Sequence, residues 1–265
     1  MFAIKEIKRA ASLEEAWSLN QKRTNKVLGG MMWMRMTRGN VMTAIDLSDL
    51  GLDKIEETPE EFSIGAMVTL RQLETHAGLD AYSQGVVKKA LKHIVGVQFR
   101  NLATVGGSVY GRFGFSDVIA VLQAMDAYVE MYKGGIIPLK DFVVMPYDND
   151  ILVRVIVKKE LAVYAYECAR LTKTDFPLLT CSAARTEAGL RLNIGARPGK
   201  PLVVALPDNL LKAGLTEENI AAIGQFAAEN IPTDSNNRGS AAYRTHLIKV
   251  LTRRALGELE AAACK

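Results

Sequence analysis

Cysteine is scarce in this chain: Cys168, Cys181 and Cys264 are the only three in 265 residues, and they lie far apart. An odd, dispersed set provides no disulfide framework and points to a reducing compartment. No run of cysteines has the spacing of an iron–sulfur cluster. Histidine is equally sparse. His76, His93 and His246 stand alone, so no Cys or His pair has zinc spacing. No apolar run approaches the ~20 residues needed to span a bilayer. The opening Met-Phe-Ala-Ile-Lys-Glu-Ile-Lys-Arg alternates charge with apolar residues and lacks the apolar core of a secretory leader. The net charge is a modest +4 with no dense Lys/Arg run, which argues against a nucleic-acid surface. These absences predict a cytoplasmic protein with no membrane span and no nucleic-acid partner.

What is present is an ordinary globular composition, long enough for a sizeable core in one or two domains. Strands are predicted over residues 2–8, 26–28 and 44–47, with a helix from the Ser12-Leu-Glu-Glu15 capping box to about Asn20. A second unit begins near Glu61, with a strand over 62–66 and a helix capped by Thr69. Another helix over 83–94 leads to an apolar stretch, read as a strand, that ends at Gly106-Gly107. Ser116 then caps a helix over 118–125. A strand over 127–132 turns at Lys133-Gly-Gly135 into a hairpin, and 151–157 is a β-branched strand. A boundary falls near Lys158-Lys-Glu160. Beyond it three strands (162–168, 178–186 and 190–196) precede helices near 203–213, 216–229 and 239–258, the pattern of a separate α+β domain.

Two glycine turns follow strands: Leu28-Gly-Gly-Met-Met-Trp33 and Thr104-Val-Gly-Gly-Ser108. Each admits two readings. Glycines let backbone amides approach a phosphate closely, so the pair could receive the two halves of a pyrophosphate. Each could equally be a tight turn between core elements. Asp117 sits at the positive end of the helix that Ser116 opens. This is no Rossmann site, because no G-x-G-x-x-G follows a first strand with a later acidic partner. Gly195-Ala-Arg-Pro-Gly-Lys200 is one residue short of a P-loop and lacks its Ser/Thr.

The ordered set Leu28-Gly-Gly30, Ile64-Gly-Ala-Met-Val-Thr-Leu70, Arg100-Asn-Leu-Ala-Thr-Val-Gly-Gly107, Ser116-Asp117, Asp150-Ile-Leu-Val153, Asp175 and Tyr243-Arg244 resembles the flavin-binding medium subunit of the molybdenum hydroxylases. That family includes the xanthine dehydrogenase flavin domain and the carbon monoxide dehydrogenase flavoprotein. The resemblance implies an α+β chain: a two-part α/β FAD-binding domain over 1–159, with parts 1–57 and 58–159. A small α+β domain over 160–265, with a three-stranded antiparallel sheet and helices, follows it.

By the same resemblance the cofactor is FAD. Leu28, Gly29, Gly30, Met31, Met32 and Trp33 would line its diphosphate together with Thr104, Val105, Gly106, Gly107 and Ser108. Ser116 and Asp117 would lie toward its adenosine, and Ile94 and Leu152 would contact the flavin. Relatives carry polar groups where Met31 and Met32 stand, and the Met/Trp run also reads as packing. Glu167 stands where relatives carry a Lys near the flavin. A carboxylate there would disfavour negative charge on the reduced ring, but Glu167 also reads as a plain surface residue of a strand. Asp175 fits the family and also a loop cap. Tyr243-Arg244 reads as packing and interface.

The implied function is electron transfer inside an oxidoreductase complex. Electrons would pass from a [2Fe–2S] partner subunit through FAD to NAD⁺ or another acceptor, with the substrate oxidised on a molybdopterin-binding large subunit. The rival reading is a flavin-free scaffold that docks those partners. A stand-alone flavin oxidase ranks third, since the chain shows no substrate pocket motif or covalent flavin anchor.

Overall fold

The computed structural model describes residues 2–263; Cys264 lies outside them. Three sheets order the described residues. The first is parallel, with β1 (Phe2–Arg9), β2 (Lys26–Leu28) and β3 (Gly39–Asp46) in the order β1-β3-β2. The second contains β4 (Ile55–Glu57), β5 (Glu61–Gly65), β6 (Asp126–Met131), β7 (Gly135–Pro138) and β8 (Leu152–Lys158), in the order β4-β5-β8-β6-β7. The third contains β9 (Ala162–Arg170), β10 (Pro177–Thr186), β11 (Gly189–Gly195) and β12 (Leu202–Val203), paired antiparallel in the order β12-β11-β10-β9.

The helices are α1 (Leu13–Asn20), α2 (Leu70–Thr75), α3 (Ala77–Tyr82), α4 (Val86–Leu91), α5 (Val97–Arg100) and α6 (Val105–Tyr110). After them come α7 (Asp117–Leu122), α8 (Leu139–Val144), α9 (Asp208–Lys212), α10 (Glu217–Asn230) and α11 (Ala241–Ala263). The chain separates into two compact units. One gathers the residues up to Thr75 with Gly96–Gly111 and Ala127–Lys158; the other holds His76–Val95, Arg112–Asp126 and the residues from Lys159 onward.

In the first unit the caps act as the residue types dictate. Ser12 Oγ accepts from Glu15 N at 3.1 Å, and Glu15 reaches back to Ala11 N at 2.7 Å. Thr69 Oγ1 accepts from Gln72 N at 3.1 Å and opens α2. The β6–β7 hairpin pairs Met131 with Gly135, and Asp150 holds its turn by accepting from Lys133 N and Gly134 N. A buried ion pair fixes α5 to α2: Arg100 Nε lies 2.8 Å from Glu74 Oε2, and each side chain is 5% exposed.

The expected strand before Gly106-Gly107 does not form. Residues 97–100 wind as α5, and the glycine pair lies inside α6. The reason is local: Thr104 is extended and its hydroxyl accepts from Gly107 N at 3.1 Å, which caps a helix.

In the second unit the register gives the four-stranded sheet two unlike faces. Ala165, Ala183 and Leu192 stand opposite one another and pack into an apolar core with α10 and α11 residues such as Ile223, Ile248 and Leu251. Tyr166, Ser182 and Asn193 form the row on the other face. Ser182 Oγ and Asn193 Nδ2 both donate to the Ala120 carbonyl of α7, at 2.5 and 3.3 Å.

This sheet has four strands, not the expected three. Leu202 and Val203 pair with Ile194 and Asn193 inside the stretch read as a helix over 203–213. That helix starts only at Asp208, because Pro207 fixes an extended N-cap and disfavours helix before it.

Arg244 is 1% exposed. Its guanidinium donates to the carbonyls of Leu178, Asp234 and Gly239 and to Asn236 Oδ1, at 2.8–3.2 Å. It is therefore a buried staple between the start of β10, the 234–239 loop and α11. Tyr243, 47% exposed, points outward.

Arg244→Ala should destabilise the protein by about 3 kcal/mol, because it strands four acceptors, and Arg244→Lys should recover only part of that in urea unfolding. The Glu74 carboxyl is pushed up by burial, but the hydrogen bonds and charges of Arg100 and Arg71 outweigh this and hold it below the ordinary range. Its contribution is therefore complete above the unfolded glutamate pKa of about 4.3 and is lost as pH falls through the lower folded value. Glu74→Gln should cost about 3 kcal/mol at neutral pH and flatten the acid limb of a stability-versus-pH curve.

Candidate functional site

The site forms where the two glycine turns of the first unit meet. A Cβ on Gly30 would lie 1.8 Å from the Leu102 carbonyl oxygen, and one on Gly106 would lie 2.6 Å from that of Ala66. A Cβ on Gly29 would lie 2.8 Å from Thr104 Oγ1 and 3.8 Å from Gly107 Cα. None of these glycines has a positive φ. They are needed because backbone passes against backbone.

A cavity of about 400 Å³ opens beside this contact. That is within the ~300–1,000 Å³ of small-molecule sites. Of the residues expected at a cofactor, Leu28, Gly29, Thr104, Gly106, Gly107 and Leu152 line it. Gly30, Met31, Met32, Trp33, Val105 and Ser108 do not. Val105 is fully buried, and Ser108 Oγ donates to the Thr104 carbonyl at 2.9 Å. Met32 is buried, and Met31 packs with Met34 on the Leu28, Val41 and Ala44 cluster, while Trp33 stays 37% exposed.

The two turns differ in their amides. Those of the second are spent inside the fold: Val105 N donates to Val68 O, Gly106 N to Ala66 O (both 2.8 Å) and Gly107 N to Thr104 Oγ1. The expectation that Gly106 and Gly107 offer amides to a phosphate is therefore corrected, since their glycines serve close packing. In the first turn no acceptor faces the amides of Gly29, Gly30, Met31 or Met32 among the described residues. Met31 adopts a left-handed φ of 58°, a backbone conformation from which anion-binding turns are built. Lys26 is the one basic side chain among the described lining residues.

Sequence reasoning missed the far wall. Tyr110, Tyr147, Asp148 and Asn149 line the cavity, and Tyr110 Oη donates to the Asp148 carbonyl at 2.5 Å. Asn20 Nδ2 donates to the Asn149 carbonyl at 2.7 Å. The only sequence signal was Asp148-Asn-Asp150, which marks a loop but not what it encloses.

The remaining expected residues belong to the second unit. Ser116 Oγ caps α7 by accepting from Ile119 N at 3.2 Å. Asp117 is buried; it accepts from Tyr166 Oη and from Arg170 Nη2, the latter at 2.5 Å. Burial pushes its carboxyl above the ordinary range, against the pull of Arg170 and Tyr166. Burial and the Asp117 charge together push the Tyr166 hydroxyl well up.

Glu167 is not an isolated carboxylate. Lys89 Nζ lies 2.6 Å from it and 2.7 Å from Glu258. Burial opposes the Lys89 charge, but those two partners outweigh it and hold its pKa above the ordinary value. Asp175 accepts from Phe176 N and from Arg238 Nη1 at 2.8 and 2.5 Å, which lowers its carboxyl pKa, Arg238 contributing most. Ile94 is half-buried beyond the end of α4.

Substitutions at the turns should rank by the distances above. Gly30→Ala should be the most damaging, costing about 3 kcal/mol in thermal unfolding, with Gly106→Ala next. Gly107→Ala should be mild, because the nearest atom to its Cβ is the Thr104 hydroxyl at 3.2 Å.

Comparison with known proteins agrees with this architecture. Residues 2–159 match the FAD binding domain in molybdopterin dehydrogenase, and residues 164–259 match the CO dehydrogenase flavoprotein C-terminal domain. The chain is 25% identical over 253 residues to protein YgfM of Escherichia coli (strain K12), covering 94% of this chain and 93% of that one. It is 26% identical over 270 residues to the nicotine 6-hydroxylase medium subunit of Paenarthrobacter nicotinovorans, covering 94% of each. The fold superposes on a chain of carbon monoxide dehydrogenase from Hydrogenophaga pseudoflava with a TM-score of 0.86, 23% identity and 97% of both chains covered. No helix among the described residues is long and apolar enough to cross a membrane. With its larger domain matched in full, the chain belongs to the FAD-binding subunits of the molybdopterin dehydrogenases, and it is a flavoprotein component of an oxidoreductase.

Proposed function

We propose that this chain is the electron-relay subunit of a cytoplasmic molybdenum hydroxylase. Its partners are a [2Fe–2S] subunit that delivers electrons and a molybdopterin-binding large subunit that oxidises the organic substrate. The acceptor is NAD⁺. The observation that carries the reading is the meeting of two glycine turns at one cavity, one of them with amides that face no acceptor among the described residues. FAD, when bound, supplies redox chemistry at its ring, and the protein supplies position, potential and access.

The chain's own groups divide that work. The first turn, which reaches the cavity at Gly29, would hold phosphate oxygens on its amides, with Lys26 beside them. Thr104 and the bare faces of Gly106 and Gly107 form the wall that lets the ligand lie close to the backbone. Leu28 and Leu152 offer apolar surface to it. We assign residues 1–159 to flavin binding, in parts 1–57 and 58–159, and residues 160–265 to the companion domain. On the family resemblance alone we also assign Ser116, Asp117, Ile94, Glu167 and Asp175 to cofactor binding.

A flavin-free scaffold is the second reading. It is favoured by the loss of polar side chains at Met31 and Met32 and by the internal bonding of the Gly106 and Gly107 amides.

A visible spectrum of the chain after incubation with excess FAD and desalting separates the two. Equimolar retained flavin that NADH bleaches is the expected result. A colourless chain that stays colourless within its native complex would overturn the proposal.

A further inference from the structure

The parallel sheet of the first unit ends on an open edge. β1 pairs with β3 on one side, and no strand among the described residues pairs with its other side. From Ala3 to Arg9 every side chain but that of Ile4 is exposed, and Ile4 packs on the Leu28, Val41 and Ala44 cluster. Ile7 stands 63% exposed in the middle of this edge. An open strand presents a row of unpaired N–H and C=O groups, which is a template for another strand.

β1 reads Phe-Ala-Ile-Lys-Glu-Ile-Lys-Arg. Charges of this kind guard an edge against unrelated strands. Against a copy of itself they discriminate between registers. A twofold axis perpendicular to the sheet sets two β1 strands antiparallel and keeps each face on its own side. Residues opposite one another are then both odd or both even in number. Centred on Lys5, Glu6 or Lys8, the pair would put like charges face to face. Centred on Ile4, it would gather no opposite charges and would use a side chain that is already packed.

Centred on Ile7, the pairing is complementary. Ile7 meets its own copy, and on each side of it a Glu6 meets the Lys8 of the other chain. Lys8 lies 3.3 Å from Glu15 and stays half exposed, open to a second carboxylate. Lys5 meets Arg9 of the second copy, which is not a bare charge, since Asp46 and Asp49 each lie 3.5 Å from it.

The sheet also carries unlike charge at its two ends. Residues 16–45 contain Lys and Arg but no carboxylate. Lys22 and Arg23 precede β2, and Arg35 and Arg38 precede β3. All four are exposed, and none meets a carboxylate among the described residues. At the opposite end Asp46 closes β3 and Asp49 follows it. The twofold through Ile7 turns the acidic end of each sheet toward the basic end of the other. A second copy matches both patterns by symmetry.

We propose that β1 is a homodimerisation edge, at which two copies of this chain join their parallel sheets through β1 strands paired antiparallel about Ile7. No β1 residue lines the cavity, so the surface is separate from the flavin reading and does not depend on it.

The test uses the full chain, with its mass measured by sedimentation over a range of concentrations. A dimer is expected at low ionic strength, weakening as salt rises. Ile7→Lys should remain folded by circular dichroism and be monomeric. Glu6→Lys should weaken dimerisation about ten-fold, and Glu6→Lys combined with Lys8→Glu should restore it, because the swap rebuilds both pairs with their signs exchanged. Where Ile7→Lys fails to fold, this swap gives the readout, since a purely structural defect would not be rescued by it.

The register is read by crosslinking in a Cys264→Ser background that does not crosslink by itself. Ile7→Cys should form an intermolecular disulfide on mild oxidation, because opposite Cα atoms of an antiparallel pair lie about 4.5–5.5 Å apart. Lys5→Cys should not. A chain that stays monomeric at low salt and high concentration, or a dimer that folded Ile7→Lys leaves intact, would overturn the proposal. So would β1 amides that gain protection from hydrogen exchange only when a different protein is bound, which would give the edge to another occupant.

Discussion

The first unit depends on backbone meeting backbone without an intervening side chain. At Gly30 the chain runs against the Leu102 carbonyl, and at Gly106 against that of Ala66. Those two contacts decide where β2 ends relative to α6, and so where the cavity opens. The neighbouring bonds follow from them: Gly106 N and Val105 N reach Ala66 O and Val68 O because nothing stands between the segments. The Arg100–Glu74 pair then fixes α5, just ahead of Thr104, to α2 with a desolvated charge pair. A methyl group at Gly30 or Gly106 would enter this arrangement at its tightest point, where only main-chain atoms could yield.

The second unit solves a different problem. Its sheet covers an apolar core with one face and must satisfy Tyr166, Ser182 and Asn193 on the other. A buried polar row is tolerated only when it is bonded. Here α7 supplies the partners: its Ala120 carbonyl accepts from Ser182 and Asn193, and Asp117 in its first turn accepts from Tyr166 and Arg170. Asp117 thus gathers two donors onto one buried oxygen. Its position at a capped helix start gives it a role in joining helix to sheet, whatever ligand lies beyond.

Much of this was legible in the chain because it is governed by near neighbours. Ser12, Thr69 and Ser116 cap the helices they precede, and the Lys133-Gly134 turn closes its hairpin. The glycine pairs were legible as sites of close approach, and the family resemblance tied them to a cofactor. The use of their amides was not. Whether Gly106 N faces a ligand or Ala66 O depends on a segment 40 positions away. The two-residue strand β12 was hidden for a similar reason: Leu202 and Val203 have no period of their own and are strand only because β11 lies beside them. The wall built by Tyr110, Asp148 and Asn149 is likewise a product of the fold, assembled from loop residues whose local signal was only that they turn.

Glu167 shows how far such distance effects reach. Read alone, a glutamate in place of a lysine inverts the local charge. In the folded chain Lys89 arrives from α4, 78 positions earlier, and its ammonium sits between Glu167 and Glu258. Two carboxylates and one ammonium leave a single net negative charge spread over three side chains, not a lone carboxylate on a strand. The Lys89–Glu167 contact is partly withdrawn from water, so it is screened less than a surface pair would be. Any group placed near β9 would therefore meet a net negative triad with its one positive charge in the middle, not an isolated carboxylate. Packing thus offsets part of the charge that the sequence appears to reverse, which is why substitution at a single position is a poor guide to the electrostatics of a folded site.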